Sequence, residues 1–225
     1  AIIAVACDAE GRREIVGLHI GPSEAETFWA AFLKSLVKRG LRGVKLVVSD
    51  AHEGLKAAIA RVLGATWQRC RVHWMRNALA HVGRAQQSMA SAALRQAFLQ
   101  PDQASARQTW RHVADQLRPR WPKLGKLMDE SEDDVLAYMA FPAQHRTKLH
   151  SVNTLERLNK EVKRRADVVG IFPSEASIIR LIGAVLLEAN DEWQMQHRYM
   201  GVEAMGEMLN PPPTNETLQR PPKAA

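Results

Sequence analysis

The stretch that decides the fold is residues 44–56, VKLVVSDAHEGLK: a short valine-rich apolar run, an abrupt Ser49-Asp50, then a small-residue turn that opens an alanine-rich helix. This pattern predicts a buried strand over VKLVVS and a helix from about Glu53 to Val62. A carboxylate at the end of such a strand has two readings. In the first, Ser49 or Asp50 caps the helix by accepting from its first free N–H groups. In the second, Asp50 is a metal ligand or catalytic group at the carboxyl edge of a sheet, where α/β proteins place their sites. Capping aspartates far outnumber catalytic ones, so this stretch alone favours the cap.

Upstream, AIIAVACDAEGRREIVGLHI (residues 1–20) holds two β-rich runs around Asp8-Ala9-Glu10-Gly11, which predicts a hairpin with Asp8 in its turn. SEAETFWAAFLKSLVKRG (23–40) predicts a helix that starts with Ser23 and Glu26 as a capping box and stops at Gly40. Downstream come a short strand around TWQRCRV (66–72), with Cys70 and His73 at its end, and a helix from about Trp74 to Val82. Strands alternating with helices make an α/β layer pattern. From Ala85 to about Phe141 the chain reads as helices broken at Pro101, Pro119 and Pro122. The expected organisation is therefore a first core part (1–84), an all-helical insertion (85–145), a last core part with helices near 152–166 and 174–198 (146–200), and a tail (201–225). That tail ends in NPPPTNETLQRPPKAA, too proline-rich and polar to pack, and disorder is expected for it.

Two cysteines, Cys7 and Cys70, cannot build a disulfide framework, which makes a reducing cytoplasm the default compartment. No apolar run reaches membrane-spanning length, since Arg180 interrupts SIIRLIGAVLLEAN and Asp8 ends the first run. AIIAVAC is no signal peptide, for no basic region precedes it. The chain opens with Ala1 inside a strand-like run, which suggests a fragment. Net charge is +7 with a pI near 9.7, favouring a polyanionic partner. Gly54 to Pro101 contains no Asp or Glu and seven Lys or Arg, whereas DESEDD (129–134) carries five acids. Such segregation is the footprint of a phosphate-backbone binder; on charge alone, an ordinary solvated face of an arginine-rich protein explains it equally well.

In SVNTLERLNKEVKRR (151–165), Val152, Leu155, Leu158 and Val162 form an apolar stripe, while Asn153, Glu156, Lys160 and Lys163 share another face. Arg157, Arg164 and Arg165 widen the positive surface. Taken alone, this is an exposed helix with Glu-Lys pairs worth a few tenths of a kcal/mol each. In CRVHWMRN (70–77), Cys70 and His73 lack the second ligand pair that structural zinc needs. No phosphate-binding glycine loop and no nucleophile elbow is present. Glu156 lies 106 residues after Asp50. Two carboxylates so placed can share divalent metals for phosphoryl transfer.

The sequence resembles the IS256-type, Mutator-like bacterial transposases. GRREIVGLHIGPSEAETFWAAFLKSLVKRGL, VVSDAHEGLKAAIA, WQRCRVHWMRNALAHV and FPAQHRTKLHSVNTLERLNKEVKRR carry the resemblance in order, and DEWQMQHRYM adds to it. The resemblance implies an RNase H-like (retroviral integrase-like) α/β core with a helical insertion before the last catalytic acid. It also implies a DDE triad that binds two Mg²⁺ (or Mn²⁺) ions to cut and rejoin DNA. Asp50 matches the second catalytic Asp and Glu156 the catalytic Glu, both as metal ligands. Lys163 matches the basic residue that accompanies this Glu and contacts DNA, and Arg157, Arg164, Arg71 and Arg76 are expected to hold DNA backbone with it. Cys70, His73 and Asn153 are read as motif residues with positioning roles, not as zinc ligands. No residue maps onto the first catalytic Asp, since Asp8 occupies the hairpin turn. The expected partners are transposon-end and target DNA and further copies of the chain, in the bacterial cytoplasm at the nucleoid and not at a membrane. With one triad acid unmapped, the chain is expected to be inactive alone; a non-catalytic DNA-binding remnant and a pseudogene product are the alternatives.

Overall fold

The computed structural model describes residues 1–21 and 25–209. In chain order the elements are β1 (Ile2–Cys7), β2 (Arg13–His19), α1 (Glu26–Lys38), β3 (Leu46–Ser49), α2 (Glu53–Leu63), β4 (Thr66–Arg69), α3 (Arg71–Leu79), α4 (Gln87–Phe98), α5 (Gln103–Leu117), α6 (Pro122–Leu136), α7 (Ala143–Leu149), α8 (Asn153–Val169), α9 (Glu175–Met195) and α10 (Val202–Leu209). The described residues form a mixed α/β structure, mostly helical, with an antiparallel pair β1-β2 and a parallel pair β3-β4.

The hairpin is the centre of two cores. Alternation along β1 sends Ile2 and Ala4 towards α1, α2 and Trp67, and Ile3 and Val5 towards Leu158 and Val162 of α8 and Ile182, Val185 and Leu186 of α9. On β2 the alternation breaks once. Ala4 pairs with Gly17 but Val5 pairs with Ile15, so Val16 is the extra residue of a bulge. Val16 and Gly17 thereby both face α1, where a Cβ on Gly17 would come within 2.7 Å of Leu36 Cδ2.

A third core lies among α3, α4, α5 and α6. Trp74 and Trp110 meet with ring centroids 4.7 Å apart, and Phe98 stands edge-on to both. Their indole N–H groups are satisfied by Ser131 Oγ at 2.7 Å and the Met128 carbonyl at 3.0 Å, so the pair is buried without an orphaned donor. Buried Gln68 of β4 ties this bundle to the sheet: its amide donates to the Val135 carbonyl at 2.9 Å and its oxygen accepts from Tyr138 N–H at 2.8 Å.

Several local expectations change. The N-cap of α1 is Ala25, Glu26 instead pairs with Arg61 at 2.7 Å, and Ser23 lies outside the described residues. Neither Ser49 nor Asp50 caps α2. His52 does, with Nδ1 accepting from Leu55 N–H at 3.2 Å, while Ser49 Oγ accepts from the Trp67 indole at 2.8 Å. Cys70 does not continue a strand; its N–H makes the last bond to β3, at Ser49 O, and the chain enters α3 at Arg71. Residues 202–209 do not belong to a disordered tail, because the proline run begins only at Pro211, and Ala204 and Met205 bury their side chains. Residues 210–225 lie outside the described residues.

Candidate active site

Three elements bring the acids together. Asp50 follows the last residue of β3, and the parallel register Ser49↔Arg69 places Cys70 alongside it. Helix α3 starts there, so its first turn carries His73 to the end of β3. Helix α8 is anchored through Leu158 and Val162 against α9, and its first turn carries Glu156 to the same place. The imidazole of His73 stands between the carboxylates, with Nδ1 2.6 Å from Asp50 Oδ1 and Nε2 3.1 Å from Glu156 Oε1. The Asp50 oxygen lies off the direction of a ring N–H, so Nδ1 makes no hydrogen bond. Asp50 and Glu156 remain 59% and 44% exposed. Among the described residues no lysine or arginine pairs with either of them.

Half-exposed carboxylate oxygens without a cationic partner fit a hard divalent cation that keeps part of its water shell. Cys70 Sγ also lies near, within 4.8 Å of ligand atoms of Asp50 and His73, but it is fully buried. Asp50, Cys70 and His73 are three donors where closed zinc sites use four, and both nitrogens of His73 already face a carboxylate. The acids open onto a cleft of about 1270 Å³ whose walls include β1 and β3.

The remaining sequence-predicted residues separate into exposed and engaged. Asn153, Arg157 and Lys163 are exposed on α8, and Arg76 is exposed on α3. Arg164 forks onto Glu161 at 2.6 and 2.9 Å; with Arg165 it holds that carboxyl down to about 2. Arg71 is turned inward, donating to Tyr138 Oη at 3.2 Å and to His150 Nε2 at 3.0 Å, with its guanidinium 4.7 Å above Phe98. Burial first, and then Arg71, pushes His150 down to about 4. The acid-free run is also less bare than it reads, since Lys56 meets Asp134 at 2.7 Å and Arg61 meets Glu26.

A family model described as "Transposase, Mutator family" matches residues 1–196. The chain belongs to the Mutator family of transposases. This transposase chain is 45% identical to the transposase for insertion sequence element IS1081 of Mycobacterium tuberculosis over 205 residues, covering 91% of the chain and 49% of that protein. It is 39% identical to the ISRM5 transposase of Rhizobium meliloti, covering 92% and 52%, and 38% identical to the transposase for IS256 in transposon Tn4001 of Staphylococcus aureus, covering 85% and 50%. The chain spans about half the length of these curated relatives. Among the described residues no helix is long and apolar enough to cross a membrane. Sequence reasoning missed one feature of this transposase: a cationic pocket beside the acids, lined in part by Arg13, Lys148 and Tyr199. Its signal was the interleaving of aromatic and basic residues in DEWQMQHRYM.

Proposed function

We propose that this chain carries part of a DDE-type, RNase H-like catalytic domain, and that the complete enzyme cleaves and joins DNA during transposition of an insertion sequence. The observation that carries this reading is the convergence of Asp50 and Glu156, 106 residues apart in sequence, on the two sides of His73 at the mouth of one cleft. Asp50 and Glu156 hold divalent ions there. Mg²⁺ (or Mn²⁺), two ions in the complete enzyme, supplies Lewis-acid activation of the attacking oxygen and stabilisation of the leaving one. His73 keeps the two carboxylates apart and orients them before metal binds. Exposed Arg157 and Lys163 on the helix of Glu156, and Arg76 on the helix of His73, hold the DNA backbone beside the reacting phosphate. Water and then a freed 3′-hydroxyl attack in line, which cuts one DNA and joins it to another. Handling two transposon ends and a target at once calls for more than one copy of the chain.

Among the described residues no further carboxylate joins Asp50 in the group of Asp50, Cys70 and His73, and Glu156 reaches that group through His73 Nε2. In our reading a third acid of the triad is contributed by sequence outside this segment, and the segment alone does not join DNA strands. Mn²⁺ binding followed by electron paramagnetic resonance tests the assignment without needing turnover. Asp50→Asn and Glu156→Gln are each expected to weaken binding at least tenfold; wild-type affinity in both variants would remove the metal site from these residues. Mg²⁺-dependent joining of transposon ends by the 225-residue chain would overturn the need for a further acid.

A further inference from the structure

Beside the acidic cleft lies a second concavity, of about 950 Å³, whose lining includes Arg12, Arg13, Lys148, Arg157, His197 and Arg198 and contains no Asp or Glu. Arg12 pairs at 3.6 Å with Glu10, just outside it. Among the described residues, Arg13, Lys148, Arg157 and Arg198 have no carboxylate partner within ion-pair distance. Uncompensated cations converging on one concavity repel one another, so the arrangement makes physical sense when an anion fills it.

The pocket is also built, not a chance gathering of long side chains. The Gly11 carbonyl at the hairpin tip accepts from both Tyr199 N–H at 2.8 Å and Met200 N–H at 3.0 Å. Gly11 has φ +76°, and a Cβ there would sit 2.0 Å from Met200 O, so only glycine permits this approach. Gln194 donates to the Arg13 carbonyl at 3.3 Å, and Thr154 Oγ1 lies 3.2 Å from Tyr199 Oη. The aromatic rings fix the charges. Arg13 lies 3.8 Å over Trp193 and 4.9 Å from the Tyr199 centroid, and Lys148 lies 4.3 Å over Tyr199. Arg13 Nε is buried with no hydrogen-bond partner. Burial, with nearby Arg157 as a smaller contribution, pushes the Arg13 guanidinium below its ordinary range, the sign expected of a cation short of counter-charge.

Arg13, Lys148, Thr154 and Tyr199 line both this pocket and the cleft that holds Asp50 and Glu156. A ligand with one phosphate would use only part of such a run, whereas a chain of phosphates would follow it from pocket to cleft. We propose that this pocket is a phosphate-backbone subsite, taking the sugar-phosphate chain of the DNA strand that enters the acidic cleft. The assignment rests on the reading of DNA as substrate given above. Arg12, Arg198 and Lys148 meet phosphates from the rim, Arg13 meets them from the floor, and Trp193 and Tyr199 act as positioning residues that hold Arg13 and Lys148 in place.

The test is fluorescence polarisation of labelled single-stranded and duplex oligonucleotides with the full chain, in EDTA so that metal plays no part, across a salt series. Arg12→Ala and Arg198→Ala alter exposed residues and leave the packing intact. Each is expected to weaken binding about three- to tenfold and to lower the slope of log affinity against log salt by roughly 1. Tyr199→Leu is expected to weaken binding while the salt slope stays at the wild-type value, because the charges remain and only their positioning is lost. Arg95→Ala, an exposed cation on the helical insertion, is the reference and is expected to change neither. If the wild type binds DNA and the pocket variants bind equally well, or lose no more than Arg95→Ala, the pocket assignment is wrong and the DNA reading survives. If the wild type binds no DNA even at low salt, both fail.

Discussion

This chain treats its acids in two opposite ways. The five carboxylates of DESEDD on α6 are all paired: Asp129 with Arg118 at 2.6 Å, Glu130 with Lys126 at 3.6 Å, Glu132 with Arg107 and Arg111, Asp133 with Arg107, and Asp134 with Lys56. Among the described residues, Asp50 and Glu156 pair only with a histidine that each shares with the other. Around the buried tryptophan core, Glu132 and Asp133 fasten α6 to α5, Asp129 fastens it to Arg118 just past α5, and Asp134 ties it to α2. Acids left with no guanidinium or ammonium partner keep their oxygens for something that arrives later. The cations divide in the same way, since Lys56, Arg61, Arg107, Arg111 and Arg118 have carboxylate partners while Arg13, Lys148 and Arg157 gather at the cationic pocket without one among the described residues. Partner count thus separates scaffold from site more sharply than the running charge of the sequence does.

The largest expected effect lies under the paired acids. Trp110→Ala empties the centre of the helical insertion and should cost about 3–5 kcal/mol in urea unfolding. A cost below 1 kcal/mol would mean that the insertion is not a packed scaffold. Next, Glu132→Gln removes the charge shared by two guanidinium groups and one of its two acceptor oxygens, at a side chain that is only 12% exposed, and should cost roughly 1–3 kcal/mol. A third outcome is pH-dependent. The folded state holds His150 at about 4 against 6.5 for the free side chain, so below 6.5 the unfolded chain takes up the proton first. Stability should hold above pH 6.5, fall as pH drops towards 4 and level off beneath it on this account, with a flatter profile in His150→Gln, whose amide oxygen can still accept from Arg71. The smallest effect sharpens the contrast most. Asp50→Asn relieves a like-charge approach at the cleft and should leave stability within about 0.5 kcal/mol of wild type, or raise it, while Mn²⁺ binding weakens at least tenfold. A loss as large as that of Glu132→Gln would show Asp50 to be scaffold after all.

Much of this was legible in the sequence, for identifiable reasons. The strand before Asp50, the hairpin around Asp8 and the apolar stripe of α8 follow from periodicity; the first two form, and of the stripe Leu158 and Val162 enter the core while Val152 precedes the helix and Leu155 lines the cleft. That Asp50 belongs with Glu156 was implied by family resemblance, and no spacing rule links residues 106 apart. The place of His73 was hidden by a boundary. TWQRCRV reads as strand through Val72, yet β3 ends at Ser49, Cys70 has no further ladder partner, and the early turn into α3 is what delivers His73 to both acids. Charge counting misled at Lys56, whose partner Asp134 is 78 residues away, and at Arg71, whose aromatic and histidine neighbours come from three other segments. The cap of α2 was missed because a histidine accepting through Nδ1 is an uncommon choice there.

The walls of the acidic cleft have one more consequence. β1 pairs only with β2 and β3 only with β4, so among the described residues each pair presents an unpaired backbone edge, and both edges line the cleft. Open strand edges are templates for any extended peptide, including another copy of themselves. Handled on its own, the chain should be adhesive at the acidic cleft. Its solubility should improve with any short β-forming peptide that occupies the slot, so that a colloidal property of the preparation reports on the cavity that Asp50 and Glu156 line.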